Sequence, residues 1–153
     1  MKPIFFWALA ASFLTGCSLQ SPPNPTYLPG LGEIMTQTSY RHSKLWFAGQ
    51  AQNWSLANYE LEEIEEGFAD ASQFHPNHKN ITGIPELIAK TMTAPIKQTG
   101  QAIQAKNLAA FTAGYDSLTA GCNACHQSTG FGFNVIVQPK TNVFPNQLFN
   151  VRH

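Results

Sequence analysis

The sequence runs to 153 residues, enough for one ordinary domain, with nine Lys+Arg against nine Asp+Glu and a formal net charge of zero. At 43% hydrophobic and 12% charged residues it is too apolar for a disordered chain. With no basic excess to neutralise phosphates, nucleic acid is not an expected partner. Three cysteines are too few for a disulfide-dense scaffold.

Lys2 precedes the apolar run Ile4–Leu14. That run is too short for a membrane-spanning helix, which takes about 20 residues. With small residues after it, it reads as a secretory signal peptide over residues 1–16. Leu14-Thr15-Gly16-Cys17 resembles the lipobox of bacterial lipoproteins. The resemblance implies cleavage before Cys17 and a diacylglyceryl group on its sulfur. It also implies a membrane partner through this N-terminal lipid anchor, on the periplasmic side of the envelope. Ser18, where Asp would retain such a protein at the inner membrane, favours the outer membrane. The alternative is an ordinary secretory signal in which Cys17 is incidental. Residues 17–30 contain Pro22, Pro23, Pro25 and Pro29 without helical period, the composition of a stiff extended tether.

From Leu31 the pattern is helical. A first segment over 31–48 places Ile34, Met35, Thr38, His42, Leu45 and Trp46 on one side, and Gly49 is expected to end it. A second, over 54–73, repeats Ala57, Leu61, Ile64, Phe68 and Ala71 at steps of four and three, with Asn53 or Ser55 as its cap. Residues 75–83 read as a polar loop. A third segment starts near Ile84 with Pro85 suited to a first helical position, and Pro95 inside it predicts a kink or break. A fourth, over 108–127, aligns Leu108, Phe111, Tyr115, Leu118, Cys122 and Cys125, with Asn107 as cap. The expected fold is all-α: an antiparallel up-down-up-down four-helix bundle over residues 31–127. The remaining 128–153 is expected to be an irregular apolar tail packed over one end of the bundle.

Cys122-Asn123-Ala124-Cys125-His126 is a C-x-x-C-H sequence, which reads as a c-type haem attachment site. Cysteines three apart lie on one face of a helical turn, within reach of both vinyl groups of one porphyrin, and the adjacent imidazole can bind the iron. An export signal agrees, because haem c is attached outside the cytoplasm. Other readings are a redox dithiol, which would want a βαβ context, and a zinc site, which would need a fourth ligand. Plain helix packing is the third. No nucleophile and base pair suited to hydrolytic catalysis is present, and an electron carrier rather than an enzyme is expected.

The motif at the end of a fourth bundle helix resembles the class II cytochromes c, over about residues 31–127. The resemblance implies one covalent haem c, with Cys122 and Cys125 as thioether anchors and His126 as proximal ligand. Its low-spin members take a methionine near the start of the first helix as sixth ligand, which makes Met35 the candidate distal ligand. His42 lies on the same face but roughly 10 Å further along the axis. The function implied is one-electron transfer with redox partner proteins, in a family where homodimers are common. A cytochrome c′-like gas-binding protein with an open sixth site is the alternative, as is a haem-bearing subunit of a larger respiratory complex docked through the apolar tail. The long tail after His126 departs from the family pattern. Arg41 and Lys44 are candidate partners for haem propionates, with ordinary surface charge as the other reading. His75 and His78 are weaker metal candidates, Phe111 and Tyr115 are expected against porphyrin or core, and the acids from Glu60 to Asp70 read as a solvated face or a steering stripe.

Overall fold

Leu31–Gln50 (α1) and Trp54–Phe74 (α2) form one helical hairpin, and Ile84–Gln104 (α3) and Leu108–Ser128 (α4) form another, in a computed structural model that describes residues 27–150. The signal segment, Cys17 and most of the proline-rich tether lie outside the described residues. Among those described, the fold is the all-α four-helix bundle that the periodicity predicts. No described helix is long and apolar enough to cross a membrane.

The two hairpins turn in the same way. Ala51-Gln52-Asn53 and Ala105-Lys106-Asn107 each put the middle residue in the left-handed region, with φ of 55° at Gln52 and 51° at Lys106. Asn53 N–H then bonds to the Ala48 carbonyl, and Asn107 N–H to that of Ala102, at 2.9 and 3.0 Å. The same asparagines cap the next helices, accepting from Leu56 N–H and Ala110 N–H. Because the chain reverses at Gln52, α1 continues through Gly49. That glycine is needed for space: a Cβ there would lie 2.1 Å from the Phe111 ring.

Helix α3 is unbroken at Pro95. The proline removes the N–H that would bond to the Thr91 carbonyl, and α4 lies against that freed carbonyl. A Cβ on Gly121 would stand 2.6 Å from Thr91 O, and one on Gly114 would stand 3.0 Å from Thr99 Cα. These two glycines, two helical turns apart, let the α3 and α4 backbones approach closely. Between α2 and α3, where a loop is expected, Asn77–His78 (β1) pairs antiparallel with Ile81–Thr82 (β2) around Lys79, whose φ is 53°.

Helix α4 ends in the same device as the hairpins, with Gly130 at φ 81° and Phe131 N–H bonded to the His126 carbonyl at 2.8 Å. The chain then runs back beside the bundle instead of gathering over one end. Asn134 meets His126, Ile136 meets Asn123, Phe144 packs edge-on to Tyr40, and Phe149 lies against Phe47 while its carbonyl accepts from Asn53. The tail is a strap joining α4 to α1, the adjacent helices that touch least.

Gly121→Ala should therefore push a methyl group into the Thr91 carbonyl and lower the unfolding free energy by about 1–3 kcal/mol, seen as an earlier urea midpoint at unchanged slope. Gly32→Ala, with open space around its Cα, should stay within about 0.5 kcal/mol of the parent.

Candidate functional site

The starts of α1 and α3 and the ends of α2 and α4 meet at one end of the bundle around a cavity of about 620 Å³. That size lies within the ~300–1,000 Å³ usual for cofactor and ligand sites. Its walls are mainly apolar, with Ile64 and Phe68 from α2, Ile84 and Ile88 from α3, Leu118 from α4 and Ile136 from the strap. Cys122, Cys125, His126 and Met35 all line it, so the residues singled out by the sequence are gathered at one place.

Cys122 and Cys125 are free thiols one turn apart. Burial pushes the Cys122 thiol up to about 12, with Cys125 adding to the rise, and burial also raises Cys125. Such thiols are protonated at neutral pH, the reverse of the low-pKa thiolate on which redox dithiols depend. Among the described residues no group of three or more His, Cys, Asp or Glu is placed to hold a metal ion.

His126 Nδ1 lies 2.6 Å from the Asn134 carbonyl oxygen. A carbonyl only accepts, so Nδ1 carries a proton, and the tautomer this selects has its lone pair at Nε2. A metal-binding histidine is usually fixed in this way by its other nitrogen.

His42 also borders the cavity, but both of its nitrogens are engaged. Thr119 donates its hydroxyl proton to the Tyr115 carbonyl at 2.9 Å, so its oxygen accepts from His42 Nε2–H, also at 2.9 Å. His42 Nδ1 then accepts from the Tyr115 hydroxyl at 3.0 Å, and the two rings stack with centroids 4.4 Å apart. His42 is thus held as a neutral hydrogen-bonded core residue, and burial lowers its pKa to about 4. Tyr115 and Phe111 are fully buried core residues.

Arg41 and Lys44 do not line the cavity. Arg41 pairs with Glu60 at 3.3 Å and Glu63 at 2.7 Å, and Lys44 sits over the Phe144 ring. Glu60 is buried, so the acidic run is not wholly a solvated face; burial raises its pKa more than Arg41 lowers it. Lys79 and His78 border the cavity instead, brought in by the β1–β2 turn. His75 is turned away, with Nε2 donating to the Pro29 carbonyl at 2.8 Å. The sequence reading also missed Asn123, whose side chain binds the Ile136 backbone, because nothing local foretells where the tail lies.

The chain matches no protein-family model, no curated protein and no solved structure. The reading of the site accordingly rests on its own geometry.

His42 makes stability depend on pH. Its pKa is lower folded than unfolded, so between pH 6.5 and about 4 the unfolded chain binds more protons. Its contribution is complete above pH 6.5 and should fall by about 3 kcal/mol on acidification to pH 4. Urea melts across that range should show the slope, and His42→Gln should remove this part of it.

Proposed function

We propose that the chain is a membrane-tethered monohaem c-type cytochrome that carries single electrons. The observation that supports this most is the convergence of two thiols one helical turn apart and an imidazole with its proton held at Nδ1, all bordering one apolar cavity. The cavity volume, the paired sulfurs and the free Nε2 lone pair fit a porphyrin better than a bare ion. Cys122 and Cys125 would hold haem c by thioether bonds, His126 would be the proximal iron ligand and Met35 the distal one. Bound there, the haem supplies a one-electron couple.

The chain's own residues bind, orient and exclude water. Ile64, Phe68, Ile84 and Ile88 give the cavity an apolar inner wall. The Asn134 carbonyl orients His126. Met35 is preferred to His42 because the latter's nitrogens are already committed. His78 and Lys79 replace Arg41 and Lys44 as candidate partners for the propionates. The lipobox-like segment before Cys17 gives the tether and the periplasmic location proposed with it. The likeness to class II cytochromes c, with a redox protein as partner, belongs to this proposal.

Exported from a host with haem-maturation machinery, the protein should be coloured and heavier by one haem. Replacing both Cys122 and Cys125 with Ala should abolish the covalent mass increase. A colourless product of unshifted mass overturns the proposal. Met35→Ala should alter the visible spectrum and admit carbon monoxide to the reduced protein. An unchanged spectrum removes Met35 as ligand, and rapid carbon monoxide binding by the unaltered protein favours the open-site, gas-binding alternative.

A further inference from the structure

One of the two residues between the cysteines does something the C-x-x-C-H pattern does not require of it. Asn123 Nδ2 donates to the Ile136 carbonyl and Asn123 Oδ1 accepts from the Ile136 N–H, both at 2.8 Å. The side-chain amide thus pairs with the strap as the backbone of a neighbouring strand would. Asn123 and His126 are three apart and share a face of α4. Asn134 closes the Phe131–Asn134 turn, and Ile136 follows it by two residues. The strap thus meets this face of α4 twice, at Asn123 through Ile136 and at His126 through the Asn134 carbonyl, and the first contact helps to hold the second.

Little else holds this stretch of the strap. Phe133, Val135 and Val137 point to solvent, at 82%, 63% and 66% exposed. Beyond the Phe131–Asn134 turn, the other polar tie is a long one, from Gln138 to Asp116 at 3.4 Å. The aromatic anchors, Phe144 and Phe149, lie several residues further on.

We propose that Asn123 is a positioning residue for the proximal ligand: by clamping Ile136 it keeps the Asn134 carbonyl on His126 Nδ1, and so sets the orientation and donor strength of that imidazole. This deepens the haem reading above and rests on it. An imidazole whose Nδ1–H is bonded to a carbonyl is the more basic ligand, and the more basic ligand favours the oxidised iron. Losing the clamp should therefore raise the reduction potential.

The test uses the haem-loaded full chain, with Asn123→Ala and Asn123→Asp. The aspartate still accepts from the Ile136 N–H but faces the Ile136 carbonyl with a second acceptor. Three readouts apply: the midpoint potential, proton NMR of the His126 Nδ1–H, and hydrogen exchange of the Ile136 amide. In Asn123→Ala the potential should rise, and in both variants the Nδ1 proton should exchange faster. In Asn123→Ala the Ile136 amide should exchange faster by roughly tenfold, the loss expected for about 1.4 kcal/mol of hydrogen bonding.

If the alanine variant fails to mature, Ile136→Pro removes the strap's N–H while leaving α4 untouched, and the same shifts in potential and Nδ1 exchange are expected. A loaded variant with the parent's potential and parent-like Nδ1 exchange overturns the proposal, and so does an Ile136 amide still protected in Asn123→Ala. A parent protein that takes up no haem overturns the functional reading instead, and the mass spectrum separates that outcome from the others.

Discussion

The arrangement depends on how closely α4 lies on α3. Pro95 leaves the Thr91 carbonyl without its helical donor, and Gly121 has no side chain to keep that carbonyl at a distance. With Gly114 repeating the approach at Thr99, α4 is pressed along α3 for two turns immediately before Cys122. A helix held so tightly on one side is free to part from its other neighbour. It does so toward α1, where the cavity sits and where the strap closes what would be an open seam. The proline expected to break α3 is in this sense part of what positions the cysteine turn. Its cost to α3 is one hydrogen bond, and the backbone acceptor it frees faces the glycine of the neighbouring helix.

The buried polar groups near the cavity are neutral or paired, and the lysine that borders it, Lys79, is exposed. His42 is neutral between Tyr115 and Thr119, and the buried Glu60 is matched by Arg41 on the far side of α1 from the cavity wall. Among the described residues no buried side-chain nitrogen or oxygen lacks a partner. The walls are therefore low in dielectric and free of competing ligands, and the cysteine and imidazole functions stand out within them.

Much of this was legible in the sequence because it is local. The four helices begin where Leu31, Trp54, Ile84 and Leu108 open the apolar periods, and Asn53 and Asn107 are the caps their positions suggest. Antiparallel topology puts the start of α1 beside the end of α4, so Met35, which the family resemblance singles out, meets Cys122, Cys125 and His126. What escaped notice is long-range or needs an uncommon backbone. Gln52 and Lys106 reverse the chain in a left-handed conformation that composition assigns to glycine, so Gly49 looked like the stop. The β1–β2 turn is too short for an alternating pattern to register. Arg41 looked free because its partners Glu60 and Glu63 lie on another helix. The tail carries no period at all, and its course is set by contacts with residues 40 to 126 that only the folded bundle brings together.

The strap also decides which edge of the cavity stays open. It covers the α4 side of the cavity, with Phe131, Asn134 and Ile136 in the wall. The most exposed lining residues are Gly30, Gly32, Thr36, Ser39 and Tyr40 at and after the start of α1, Lys79 on the β1–β2 turn, and Asn134 itself. A partner approaching this end meets the first turns of α1 and the hairpin, directly after the proline-rich tether. The tail therefore has two consequences in this chain: it ties α4 to α1 across their weakest contact, and it leaves the α1 and hairpin edge as the exposed approach to the cavity.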